Sequence, residues 1–184
     1  TFGMSGEHGL VSLAGLDALT TVRTLEITSN DSLVDLSGLG ALREVEWTMR
    51  IAENASLTTF SDLGSLTNVE TLSIEDNASL EDLSGLSALE SVEDLLISDN
   101  PSLATLTGLG AAEIDDLRIE RNDALVDLSG LENLASLRLF RLQENASLTT
   151  LTGLPAIDVN SLYIGDNPSL ATLQGLDSPV SLSG

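Results

Sequence analysis

Apolar residues recur at every third position over long stretches of the chain, as in Leu80, Leu83, Leu86, Leu89 and Val92. Short apolar-polar-apolar alternations interrupt this rhythm at regular intervals, at Leu25/Ile27, Met49/Ile51, Leu72/Ile74, Leu95/Ile97, Leu117/Ile119, Phe140/Leu142 and Leu162/Ile164. Period two predicts a short half-buried strand. Period three matches neither an amphipathic α-helix nor a strand, and frequent Gly, Ser and Thr lower helix propensity further. We therefore expect short extended or 3₁₀ segments between the strands and very little α-helix.

Strand and connector together make one repeated unit, L-x-I-x-x-N-x-S-L-x-x-L-S-G-L-x-x-L-x-x-V. It is anchored by Asn30, Asn54, Asn77, Asn100, Asn122, Asn145 and Asn167 at intervals of 22 to 24 residues. A fixed period of this length predicts a solenoid, and a repeat that never changes phase predicts a single domain over residues 1–184. The expected divisions are a degenerate first coil over 1–24, regular coils over 25–176 and a C-terminal tail over 177–184, where Pro179 takes an apolar place. In the first coil Phe2 and Met4 take the strand positions and Glu7 stands in for the asparagine. The opening Thr1-Phe2-Gly3-Met4 has no basic n-region, and we expect the chain to belong to a larger protein.

Two columns of the repeat have physical reasons. A coil that turns tightly after its strand points backbone N–H and C=O groups inward, where an unpaired polar group is costly. An inward asparagine carries two donors and an acceptor, enough to satisfy them and to bond the next coil, so the seven asparagines predict a ladder. Gly15, Gly38, Gly85, Gly108, Gly130, Gly153 and Gly175 mark a bend that a side chain would obstruct, and only Asp62 breaks that column.

Composition then narrows the chemistry. Hydrophobic residues are 42% of the chain but aromatics only 3%, so the core has to be stacked leucine and isoleucine. Asp and Glu number 29 against seven arginines and no lysine, a formal charge of −22. Such a surface repels phosphate backbones and anionic lipid, which argues against nucleic acid as a partner. No apolar run reaches the length of a membrane span, so no membrane insertion is expected. The absence of cysteine removes disulfides, thiolate ligands and cysteine nucleophiles. His8 is the only histidine, so no imidazole acid–base pair or metal cluster can be assembled. We expect a non-catalytic protein without cofactor.

The remaining candidates are explained by the repeat. Ser32, Ser56, Ser79, Ser102, Ser147 and Ser169 share one column, and a nucleophile has no need of six copies. The N-x-S triplets at Asn30, Asn54, Asn77 and Asn145 resemble glycosylation acceptors but fall on inward positions. Asp35, Asp82 and Asp127 alternate with Thr59, Thr105 and Thr150, so alternate coils part the aspartates by roughly 10 Å, too far to share one calcium ion. The threonines of that column leave ice binding as a remote alternative.

The L-x-I-x-x-N-x-S-L motif followed by L-S-G-L-x-x-L-x-x-V resembles bacterial leucine-rich repeats, in the variety similar to the receptor L domain, over essentially the whole chain. The resemblance implies a right-handed parallel solenoid and an extracellular or cell-surface protein used for recognition or adhesion. Its partner would be a protein or a glycan. An alternative is a structural building block whose open coil ends stack into filaments or a surface layer.

The strand pattern also places a binding surface. The residue between each pair of inward apolar positions must point out of the sheet, giving the column Gly3, Glu26, Arg50, Ser73, Leu96, Arg118, Arg141 and Tyr163. Its later half, Leu96, Arg118, Arg141 and Tyr163 with an exposed Leu139 beside it, gathers the residue types enriched at binding hot spots. Tyr163 is expected to stack on Arg141 of the neighbouring coil. A competing expectation is that Arg118 and Arg141 only offset Asp94, Asp116 and Glu120.

Overall fold

A computed structural model describes residues 1–109 and 113–176. The expected tail over 177–184 lies outside the described residues. The chain forms eight strands: β1 (Phe2–Ser5), β2 (Thr21–Thr28), β3 (Glu44–Ala52), β4 (Asn68–Glu75), β5 (Ser91–Ser98), β6 (Glu113–Glu120), β7 (Ser136–Gln143) and β8 (Asp158–Gly165). They join one sheet in sequential order, every neighbouring pair parallel, so each connector carries the chain round one turn of a solenoid. Phe2 and Met4 pair with Leu25 and Ile27, so β1 lies in register with the strand of the next coil.

The strands begin earlier than the alternation suggests. In β5 the inward Val92 is followed by Glu93 and Asp94, neither of them buried in the core, before Leu95 and Ile97 return inward. The valine that closes each repeat unit is thus the first inward residue of the following strand. Strict alternation fails because two successive residues, not one, separate these inward positions.

The period of three comes from a run of tight turns. Leu80 donates its N–H to Asn77 O, Leu86 to Leu83 O and Leu89 to Leu86 O, each bond reaching back three residues. Only Ser61–Leu63 and Ser84–Leu86 continue into 3₁₀ helices, and no α-helix is formed among the described residues. Each turn presents one leucine to the interior, and Leu33, Leu36, Leu39 and Leu42 are fully enclosed.

Asn30, Asn54, Asn77, Asn100, Asn122 and Asn145 are completely buried. The Asn54 side-chain amide donates to Ile27 O of the preceding coil at 2.9 Å and to Ala52 O of its own coil at 3.0 Å. Its Oδ1 accepts the backbone N–H of Asn30 at 3.1 Å. The same arrangement recurs at Asn77, Asn100, Asn122 and Asn145. At the first coil the Glu7 N–H bonds to Asn30 Oδ1, so Glu7 does hold the asparagine's place. Turning the asparagine inward requires a left-handed residue before it: Ser29, Glu53, Asp76, Asp99, Arg121, Glu144 and Asp166 all have φ between 53° and 58°.

The glycine column does more than bend. A Cβ at Gly108 would lie 1.9 Å from Leu83 O, and one at Gly85 1.6 Å from Phe60 O. Successive coils touch backbone to backbone there. Asp62, the one departure from the column, lies within the 3₁₀ turn Ser61–Leu63.

Candidate functional site

On the outward side of the sheet the expected site residues fall in two columns along the solenoid. Pairing places Leu96 beside Arg118, Arg118 beside Arg141, and Arg141 beside Tyr163, so the four residues occupy consecutive coils of one column. Leu139 stands in the adjacent column, in register with Asp116 and Ser161. It is half-buried, not exposed as expected, because neighbours on coils about 4.8 Å away flank each side chain of a column.

The Arg141 guanidinium lies 5.1 Å from the centroid of the Tyr163 ring, the stacking expected from their register. Glycine makes room for that ring, since a Cβ at Gly165 would come within 2.7 Å of Tyr163 Oη. Tyr163 is 45% exposed, unlike the enclosed aromatics Phe60 and Phe140 of the interior.

Charge pairing on this face is also as the competing expectation had it. Arg118 lies 3.5 Å from Asp94 Oδ1 and 3.4 Å from Asp116 Oδ2, and Arg141 lies 3.9 Å from Glu120 Oε1. Arg141 is held loosely by that single long contact. Its flat face rests on the tyrosine, so the pair forms an exposed platform of basic and aromatic character.

Beside the face, Arg121 makes a two-pronged bond to Asp99 at 2.7 and 2.8 Å and reaches Glu120 at 3.3 Å. These bonds hold the Asp99 carboxyl below the usual aspartate range and raise Arg121 above its own. Asp76 is raised, first by burial and then by the negative charges of Asp99, Glu75 and Glu53. The sequence offered no reading of this acidic turn column, because the left-handed conformation that aligns it is not visible in residue type.

Two further features went unread. Trp47 is 55% exposed at a bulge in β3, where the register shifts between Val45 and Thr48, and Arg23 lies 5.6 Å from its ring. Its signal was the single 24-residue interval, from Asn30 to Asn54. The second is a groove of about 390 Å³ along the entry to the strands, floored by Val45, Val69 and Val92 and lined by Glu46, Glu70, Glu93 and Asp115. An acidic residue directly after the column valine or isoleucine in four successive copies was its signal.

The polar residues of the connectors have structural partners. Asp35, Asp82 and Asp127 accept the N–H two residues on, and Thr59, Thr105 and Thr150 accept it with their hydroxyls. Aspartate and threonine alternate because each puts an acceptor oxygen in the same place. Ser79 and Ser102 donate to Ala55 O and Ala78 O of the preceding coils. Among the described residues no group of three or more His, Asp or Glu side chains is arranged to hold a metal ion. No helix among them is long and apolar enough to cross a membrane. No protein-family model matches the chain, and neither the curated proteins nor the solved structures compared with it contain a match.

Proposed function

We propose that the chain is a leucine-rich-repeat-type recognition module, extracellular or at the surface of a bacterial cell, which binds a protein or glycan through the outward face of its sheet. The observation that carries this reading is the Arg141–Tyr163 platform, an exposed cation and aromatic on consecutive coils of a strongly acidic solenoid. A repeat requires only a soluble residue in this column, and the inward ladder and core hold the coils without it. Arg and Tyr are the side chains that supply most binding energy when a partner desolvates them. Leu96 and Arg118 continue the column, and Leu139 borders it.

The test is a screen against arrayed glycans and bacterial surface proteins with the native chain and the Arg141→Ala/Tyr163→Ala double variant. A bound partner of acidic or glycan character is expected, with affinity reduced at least tenfold in the double variant, which corresponds to about 1.4 kcal/mol. Equal binding by the two proteins moves the site off this face, with the acidic groove at Glu70 and Glu93 the next surface to mutate.

A second reading is end-to-end stacking. It is favoured by the C-terminal coil, where Leu162, Ile164, Leu170, Leu173 and Leu176 line an apolar opening and Leu173 is 57% exposed. Particle size that stays constant by light scattering as concentration rises would remove it.

A further inference from the structure

One polar atom on the outward face has no partner among the described residues. Asp116 is only 2% exposed; its Oδ2 accepts from Arg118 at 3.4 Å and from Arg138, while Oδ1 is enclosed with no donor. A buried carboxylate oxygen left without a hydrogen bond is costly. In register beside it on β5 stands Asp94, whose own Oδ1 faces Arg118 at 3.5 Å. From β7 the facing groups are Arg138 and the uncharged Leu139. On the flanks, Glu93 and Asp115 line the groove.

We propose that Asp116 takes up a proton at Oδ1 and donates it toward the neighbouring Asp94 carboxylate, and that this proton regulates the charge of the recognition face at Arg118. Protonated at Oδ1, Asp116 becomes a donor toward the Asp94 carboxylate, and the orphaned oxygen is satisfied. The charge count gives the consequence. Two carboxylates and two guanidiniums sum to zero; with one proton bound, taken from solvent, the quartet carries +1. Mild acid then makes the face more attractive to an anionic partner, a consequence that rests on the recognition reading above.

Electrostatics supports the geometry. Burial is the largest influence on Asp116 and raises its carboxyl above the usual range, and the neighbouring Asp94 charge raises it further. Arg138 and Arg118 pull the other way.

Carboxyl-carbon NMR titration of the native chain tests the pair without any ligand. The Asp116 step is expected above the ordinary aspartate value of 3.8, with the Arg118 and Arg138 side-chain signals moving at the same step. In Asp94→Asn the asparagine amide supplies the missing donor to a fully ionised Asp116, and the Asp116 step is expected to move down. Asp116 titrating at or below 3.8 in the native chain overturns the proton at Oδ1, as does a step that follows neither arginine. The native titration decides the matter even where the variant fails to fold. A failed array screen leaves this result standing, and a failed titration leaves the recognition reading standing.

Discussion

At the scale of single residues, the fold depends on side chains that act on backbone. Each ladder asparagine after Asn30 accepts the N–H of the asparagine one coil earlier and donates to two carbonyls, so its loss has a direction along the solenoid. In Asn77→Ala the Asn54 N–H loses its acceptor, and the carbonyls of Ile51 and Glu75 lose the side-chain amide, although Glu75 O keeps the Glu53 N–H. Stability is expected to fall by about 1–3 kcal/mol. Hydrogen exchange should quicken most at the Asn54 amide, while the Asn77 amide, bonded to Asn100 Oδ1, keeps its partner. Uniform loss of protection through all coils would show that the asparagines act only through packing. The glycines make a comparable point, because Gly85 lacks a left-handed φ and is still the most crowded of the column.

At the scale of elements, the clearest irregularity is β3. It has nine residues where β2 and β4 have eight, and Trp47 is the extra one, displayed at the bulge with Arg23 across its ring. Deleting Trp47 restores a 23-residue spacing and a continuous register on both sides. The expected change in stability is within about 1 kcal/mol, the worth of an exposed cation–π contact, measured by urea denaturation. A larger loss would make the bulge part of the fold. Such cases set the limit of what was legible. The strand positions, the inward asparagines and the Leu96–Arg118–Arg141–Tyr163 column follow from periodicity, since alternation and a constant repeat length dictate facing and register. The bulge, the double outward step after Val92 and the acidic groove do not follow, because they arise where local spacing departs from strict period two. The Asp/Thr alternation was visible in the sequence, but its cause was not, since the shared acceptor oxygen is a property of turn geometry.

At the scale of the whole molecule, one sheet and one core carry a net charge of −22, and the consequence is a defined pH response. Asp76 and Asp116 are raised in the folded chain, so their contribution is fully present below the ordinary aspartate value of 3.8 and is lost as pH rises through the folded values. Asp99 is lowered by Arg121, and its contribution is present above 3.8 and lost as pH falls through its folded value. Acidifying from neutrality toward 3.8 should therefore raise the melting temperature, helped by falling self-repulsion, and further acidification should lower it. A melting temperature that falls steadily from neutral pH would contradict these assignments. The broader claim is a division of labour: inward columns hold the coils together, and the outward Arg141–Tyr163 column is free for a partner. The most direct measurement compares chemical denaturation of Asn100→Ala and Arg141→Ala/Tyr163→Ala with the native chain under one condition. The ladder variant is expected to lose about 1–3 kcal/mol and the face variant less than about 1 kcal/mol. Equal losses in the two, or a larger loss in the face variant, would make the platform part of the scaffold and contradict the account.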